Sequence, residues 1–553
     1  MSAEARTGTA RIPEQRSPAE PPPSPTLPHL VHAWAETTPE APALVAGAVR
    51  WTYADLDDAV RRAAGALTGL GVGTGSRVAL LATNTASWLA AAVGAMWAGA
   101  RVDAFNTWVK AWDLEHLLES SAADVLVVAG QVRGADMLAV VRELVPELRS
   151  AGPGAWTSER FPALRHVVVL GGHPELPQGA LRFDDLLAAA TPAAPGTDAA
   201  RPEQPAYVMY TSGSTSRPKA VPLCQRDLLV NGFHIGERMG LGTADRVWLG
   251  SPLFWSFGGA NALPATWTHG ACLVLPEQFV PAESAELIAR EEVTAAYLLP
   301  GIIDALAAFG AQVRAVPSLR TGLTIGRPEE VARAVDELDV AGICNIYGAT
   351  ETYGNCCVTH HDTELDVRLT TQGPPLPGVE VRVVDVEGTV LGVGELGELQ
   401  VRGRVTPGYL GDDDANAKAF TDDGWYRTGD QLRVRPDGAV EFGARLTDMI
   451  KTSGINVAPA EVESYLAGHP DVVEVAVVGA PHRVRGEVVM AFVVLRDGAS
   501  ADGEALRAYC KEGIAGFKVP WEVVVTDELP RTPTGKLTRR TLVEVAAQRV
   551  GAT

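Results

Sequence analysis

The 553-residue chain predicts an α/β protein. It is read as a large N-terminal domain of layered α/β sheets with a small β-barrel-like unit, followed by a small α+β C-terminal domain. Three observations lead there. Apolar runs of strand length alternate with helical stripes up to about residue 347, the pattern of parallel sheets covered on both faces. After about Gln372 the texture changes to short alternating strands with Gly and Asp turns. After Arg445 the chain restarts with its own helices and strands, at the size of a separate module.

The elements follow in order. Residues 1–27 carry "RSPAEPPPSPTLP"; proline at that density blocks helix and sheet, so a disordered leader is expected, with order from near His29. In "WTYADLDDAVRRAAGALTGLG", Leu56, Val60, Ala63, Ala64 and Leu67 form a helical stripe, and Thr52 with Asp55 forms a capping box. "RVALLA" reads as a buried strand, the alanine-rich run 88–100 as a buried helix too short to span a bilayer, and "DVLVVAG" as the next strand. "HVVVLG", "YVMYTS", "CLVLP" and "GICNIYG" continue the strands. "GVEVRVVD", "GELQVRG" and "GAVEFGAR" form the β unit. "APAEVESYLAGH", "EVAVVGAP", "VVMAFVVL" and "GEALRAYCKEG" build the last module. The domain boundaries are placed at 28–445 and 446–553.

A net charge of −20 disfavours nucleic acid and anionic membranes as partners. Six irregularly spaced cysteines, with a polar proline-rich N-terminus in place of a secretory segment, fit reduced thiols and a cytoplasmic location. Cys356, Cys357, His360 and His361 in "NCCVTHH" lack the two-residue gap that lets paired zinc ligands converge.

The stretch "YTSGSTSRPKAVPL" (210–223) sets the chemical question. A hydroxyl-rich loop between a strand and a helix, the latter expected over about 224–238, can offer N–H groups, hydroxyls and the charges of Arg217 and Lys219 to phosphate oxygens. It is not a Walker A loop. On these residues alone, a phosphate site and a polar surface turn both stay open.

Four more motifs follow in order: "NIYGATE" (345–351), "GWYRTGD" (424–430), "GARLTDMIKTSGINVAPAEVE" (443–463) and "RTPTGKLTRR" (531–540). With the loop they resemble the adenylate-forming (AMP-binding) superfamily of acyl-CoA synthetases, luciferases and peptide-synthetase adenylation domains, over roughly residues 30–545. The resemblance implies an ATP-dependent ligase. It would activate a carboxylic acid as acyl-AMP with release of pyrophosphate, then transfer the acyl group to the thiol of coenzyme A. ATP, Mg2+ and coenzyme A are the implied cofactors, and a small acid, ATP and CoA the partners.

By resemblance, Thr211, Ser212, Gly213, Ser214, Thr215 and Lys219 hold the β- and γ-phosphates. Tyr347 and Gly348 line the adenine and acyl pocket, Thr350 meets the α-phosphate, and Glu351 binds magnesium. Asp430 accepts from the ribose hydroxyls, and Arg445 contacts ribose or phosphate. Lys536 reaches the substrate carboxylate and α-phosphate as charge builds. Trp255, Phe257 and Ala349 border the acyl pocket, and Ser453 and Gly454 line the path of the thiol. The C-terminal domain is mobile, with Thr447 at the hinge position, where the family has Asp or Lys.

The sequence departs from the family at Ser216 and Ala220, where glycine is common, at Cys224–Gln225, where Thr-His is usual, and at Trp255, where a histidine often stands. Trp255 is open to readings as a wall, a gate or core packing. Alternatives of another class are an adenylating enzyme with a different acceptor (a separate carrier protein, or an amine, including nitrite-activating diazotisation of an aryl amine) and a nucleotide-binding homologue without catalysis.

Overall fold

The structure is a computed structural model that describes residues 20–211, 218–326, 328–445, 449–496, 498–530 and 539–551. Two large sheets and one small one build the N-terminal part. The eight-stranded sheet runs in the order Cys357–Val358, Gly342–Tyr347, Thr321–Thr324, Ala295–Tyr297, Arg246–Leu249, Cys272–Leu275, Pro42–Ala46, Val49–Thr52. The seven-stranded sheet runs Lys219–Cys224, Pro205–Thr211, Arg101–Ala104, Arg77–Leu81, Val125–Ala129, His166–Leu170, Ala180–Arg182. Their inner strands pair in parallel, as continuous apolar runs require when both faces are covered.

Helices fill the interior between them. Tyr53–Gly69 starts at Thr52, whose hydroxyl accepts the Asp55 N–H while the Asp55 carboxylate accepts the Thr52 N–H, the expected capping box. Its buried stripe packs on Ala86–Trp97, a helix buried everywhere but at Ser87. The two approach so closely at Gly94 that a Cβ there would stand 2.6 Å from Ala63 Cβ and 2.9 Å from the Ala64 nitrogen.

Two expectations change. Leu27 belongs with the packed chain: the helix Leu27–Thr37 is capped by Thr26, and the buried Leu27 N–H donates to Gln225 Oε1 at 3.0 Å. Pro28 sits in its first turn, where a missing N–H costs nothing, so proline there opens a helix. And the hydroxyl-rich loop does not lead from strand to helix. "KAVPLC" is itself a strand, Lys219–Cys224, antiparallel to Pro205–Thr211, and the helix Gln225–Met239 follows it. Pro222 is tolerated because this strand is the edge of its sheet and needs one row of donors fewer.

The β unit is an antiparallel four-stranded sheet, Glu380–Val384, Gly397–Arg402, Tyr426–Val434, Val440–Arg445. The C-terminal part is a five-stranded sheet centred on the long pair Val472–His482 and Gly486–Leu495, flanked by helices Pro459–Ala467, Gly503–Gly513 and Arg539–Gly551. No described helix is long and apolar enough to cross a membrane.

Candidate active site

Among the described residues, Lys219, Tyr347, Glu351 and Asp430 lie where elements of the three N-terminal sheets meet. Tyr210, at the mouth of the hydroxyl-rich loop, donates its hydroxyl to Asp103 Oδ1 at 2.7 Å. Asp103 is fully buried on the neighbouring strand; burial raises its pKa, while Arg101 beside it works in the opposite direction. The strand that carries Thr211 is thus fixed at its base. Across the hairpin, Thr211 pairs with Lys219. Ser212, Gly213, Ser214 and Thr215 lie outside the described residues.

The "YGATE" segment leaves the strand Gly342–Tyr347 and closes in a 3-10 turn, Thr350–Thr352. The Thr350 hydroxyl donates to Ser256 Oγ at 3.2 Å, tying this turn to the segment after Trp255. Glu351 is buried, and its Oε1 accepts the Tyr409 hydroxyl at 2.8 Å. The ring of Tyr409 carries the Lys219 ammonium over its face, 4.4 Å from the centroid. One side chain therefore joins the cation that follows the hydroxyl-rich stretch to the carboxylate of "YGATE". The backbone repeats the connection: the Thr406 N–H donates to the Glu351 carbonyl at 2.7 Å, and the Leu410 N–H to the Ala220 carbonyl at 3.0 Å. Tyr409 and Asp103 were not picked out from sequence. Each acts through a partner more than fifty residues away, which leaves no local pattern.

On the β unit, Asp430 and Arg445 are cross-strand partners, so the two ribose-side candidates arrive together; the Arg445 side chain lies outside the described residues. Asp430 Oδ2 accepts the Tyr347 hydroxyl at 2.9 Å, inside a largely buried pair. Burial, then the Asp430 charge, push the Tyr347 phenol well above its ordinary pKa, which keeps it a donor. Gly348 follows Tyr347 directly.

Trp255 precedes a π-helix, Ser256–Ala262, a rare form that is frequent at functional sites. With Trp108, Phe254, Arg133, Ser453 and Ile455, Trp255 lines a cavity of about 190 Å³. Trp108 meets Trp255 edge-on at 4.9 Å. Trp255 is therefore a wall residue of this cavity. Phe257 and Ala349 are not among the residues that line it; Phe257 packs edge-on against Tyr297 at 5.2 Å.

Ser453 and Gly454 come from the C-terminal part. They form the two-residue turn between Ile450–Thr452 and Ile455–Val457, with Thr452 paired to Ile455. Both have left-handed backbones, φ +50° and +83°, the requirement of a type I′ hairpin. Glycine adopts this freely; serine pays a modest strain, and its N–H is tied to the Arg485 carbonyl at 2.8 Å. The tip so made reaches the cavity of Trp255. Thr447 and Lys536 lie outside the described residues.

All six cysteines are free, and the described residues contain no cluster of three or more metal-ligating side chains, so "NCCVTHH" builds no such site there. Cys356 and Cys357 are buried, and burial raises the Cys357 thiol well above its ordinary pKa.

Two layered sheets, an antiparallel satellite and a capping C-terminal module, with hydroxyl, ammonium and carboxylate groups converging where they meet, define a nucleotide-using enzyme of the adenylate-forming class. Residues 31–410 match the AMP-binding enzyme family and residues 461–536 the AMP-binding enzyme C-terminal domain; the chain belongs to this family. It is 34% identical to a "Putative acyl-CoA synthetase YngI" of Bacillus subtilis over 94% of this chain and 96% of that protein. The amide bond synthetase McbA of Marinactinospora thermotolerans superposes with a TM-score of 0.80 at 28% identity, covering 94% of this chain and all (100%) of that one. The o-succinylbenzoate CoA synthetase MenE of Bacillus subtilis was solved in two complexes. A double mutant bound with its product analogue OSB-NCoA gives a TM-score of 0.78 at 26% identity, over 93% and 98% of the two chains. The complex with the acyl-adenylate intermediate OSB-AMP gives 0.64 at 26% identity, over 93% and 97%.

Proposed function

We propose that the protein is an ATP-dependent acid–thiol ligase that forms an acyl-adenylate and passes the acyl group to coenzyme A. The observation that carries this reading is that Ser453, in the turn it forms with Gly454, lines one cavity with Trp108 and Trp255. A turn with a glycine at its tip leaves room for a narrow pantetheine arm to pass close to backbone. The closer match to the CoA-analogue complex of MenE than to its adenylate complex supports the same placement of the C-terminal domain.

The first half-reaction brings a carboxylate to the α-phosphorus of ATP, so positive groups must offset crowded negative charge. Lys219, held over Tyr409, opens the strand that follows the loop in sequence and would add its charge there. The loop itself, Thr211 with Ser212, Gly213, Ser214 and Thr215, would grip the β- and γ-phosphates. Glu351 suits a hard divalent cation, since it offers a buried carboxylate of which one oxygen accepts from Tyr409. Magnesium bound there would neutralise phosphate charge. Asp430 and Arg445 would hold the ribose, with Tyr347 orienting Asp430. Lys536 would steady the charge that builds between carboxylate and α-phosphate, reaching the site when the C-terminal domain takes a second placement about Thr447.

A second acceptor class has one observation in its favour, the close superposition of an amide bond synthetase. One experiment decides: pyrophosphate release from magnesium-ATP across aliphatic acids, aromatic acids and nitrite, with CoA, with an amine, or with neither, and products identified by mass. Thioester formed only when CoA is present supports the ligase. Amide without thioester moves the assignment to amide synthesis. Lys536→Ala should suppress adenylation far more than ATP binding; adenylation at the parent rate would remove Lys536 from the mechanism.

A further inference from the structure

Lys518 is buried with two carboxylates, one from each part of the chain. Its ammonium donates to Asp113 Oδ1 at 2.7 Å and lies 3.2 Å from Glu461 Oε2; the three side chains are 9%, 4% and 1% exposed. Glu461 opens the helix Pro459–Ala467 and Lys518 ends the 3-10 turn Gly516–Lys518, so their pairing belongs to the C-terminal part alone. Asp113 belongs to the N-terminal part, in the first turn of the helix Ala111–Ser121. Its second oxygen accepts two N–H groups, from Ala515 at 3.1 Å across the boundary and from Lys110 at 3.1 Å within its own helix start. Aromatic contacts flank it: Trp112 on Tyr465 at 5.5 Å and Trp108 on Phe517 at 5.8 Å. Trp108 is also the ring that meets Trp255 in the cavity lined by Ser453.

We propose that Asp113 is a positioning residue for thioester formation: it receives Lys518 and the Ala515 N–H, and so sets the C-terminal part with its Ser453–Gly454 turn at the cavity. This rests on the ligase reading above. The charge count explains why such a contact can be made and released. Undocked, Lys518 and Glu461 are already a pair. Docking adds one carboxylate, whose lost hydration is offset by one ammonium and one N–H, so little net attraction results. The contact fixes orientation more than it binds. It also names the clean perturbation. Removing Asp113 leaves Lys518 its partner in the C-terminal part, whereas removing Lys518 would leave two buried carboxylates facing each other.

The test uses the full chain as Asp113→Asn and Asp113→Ala, with the acid identified for the parent. Three quantities are read: ATP–pyrophosphate exchange, single-turnover transfer of preformed acyl-adenylate to CoA, and hydrogen exchange of the Ala515 amide. The expected result is exchange within about twofold of the parent, transfer slowed about tenfold or more, and a faster-exchanging Ala515 amide, in both variants. Asparagine retains an oxygen for the Lys110 N–H and alanine does not, so a helix-capping role alone would lower both half-reactions, and more in the alanine variant. That pattern, or transfer at the parent rate, or unchanged protection of Ala515, overturns the proposal. A parent that gives adenylate but no thioester overturns the ligase reading and this role with it. A parent that gives thioester, with an Asp113→Asn variant that gives it equally fast, overturns this role alone.

Discussion

Tyr409→Phe separates two contacts that one side chain makes. The hydroxyl donates to Glu351 Oε1 at 2.8 Å, and the ring supports the Lys219 ammonium at 4.4 Å. Phenylalanine keeps the ring and deletes the hydrogen bond. A hydrogen bond to a charged group contributes about 1.5–3 kcal/mol. Tyr409 and Glu351 are 5% and 8% exposed, so water has little access to replace it. If that bond holds Glu351 where adenylation uses it, kcat/KM for ATP–pyrophosphate exchange should fall between about tenfold and about a hundredfold, since each 1.4 kcal/mol is a factor of ten. Tyr409→Leu also removes the cation–π contact, worth about 0.5–2 kcal/mol, and should fall further, with the extra loss in KM for ATP because Lys219 is the group released. The assay is exchange at varied ATP, with urea unfolding run beside it to show that both variants remain folded at the assay temperature. Exchange by Tyr409→Phe at the parent kcat/KM would refute the argument. Equal losses in the two variants would place the whole effect in the hydroxyl and refute the part given to the ring under Lys219.

Two further predictions concern stability. His234 is buried near Arg404 and Arg238, and burial followed by these charges lowers its pKa from 6.5 to about 4. The native imidazole is then neutral where the unfolded chain is protonated, so stability is full above pH 6.5 and is lost as pH falls toward 4, by about 3 kcal/mol at pH 4. Urea midpoints at pH 7 and pH 4.5 should diverge less in His234→Gln than in the parent; equal divergence would remove His234 from the acid response. Gly94→Val places three carbons where a single Cβ would already stand 2.6 Å from Ala63 Cβ and 2.9 Å from the Ala64 backbone. The helices must part, at a cost of about 3 kcal/mol or more, seen as a lowered urea midpoint. An unchanged midpoint would mean that the interior between the sheets yields easily.

What could be read from sequence was local. The capping box at Thr52 and Asp55 declared a helix because both partners lie within one turn. The valine-rich runs declared their strands for the same reason, and the motifs marked where a nucleotide site should assemble. What could not be read depends on neighbours brought from afar. Lys219–Cys224 carries no strong strand signal, and Pro222 argues against one; only its edge position beside Pro205–Thr211 makes it a strand. Lys518 and Asp113 are 405 positions apart, and nothing near either predicts the other. Phe257, which the resemblance sets at the acyl pocket, lies within the π-helix Ser256–Ala262 and packs edge-on against Tyr297, a neighbour forty positions away that no local pattern announces.

The segment 403–410 stitches the β unit to both the strand Lys219–Cys224 and the turn Thr350–Thr352, through Thr406, Tyr409 and Leu410. This limits how the protein can be recombined with its relatives. A chimera that imports the β unit alone brings a foreign 403–410 segment against a resident lysine and a resident glutamate, three pieces that no longer share a history. Cut points that keep residues 219–224, 350–352 and 403–410 from one parent preserve the grip on both. The wall formed by Trp108, Phe254 and Trp255 makes none of these stitches, so exchanges at Phe254 and Trp255 alter what lines the cavity without breaking them, while Trp108 is held by its contact with Phe517.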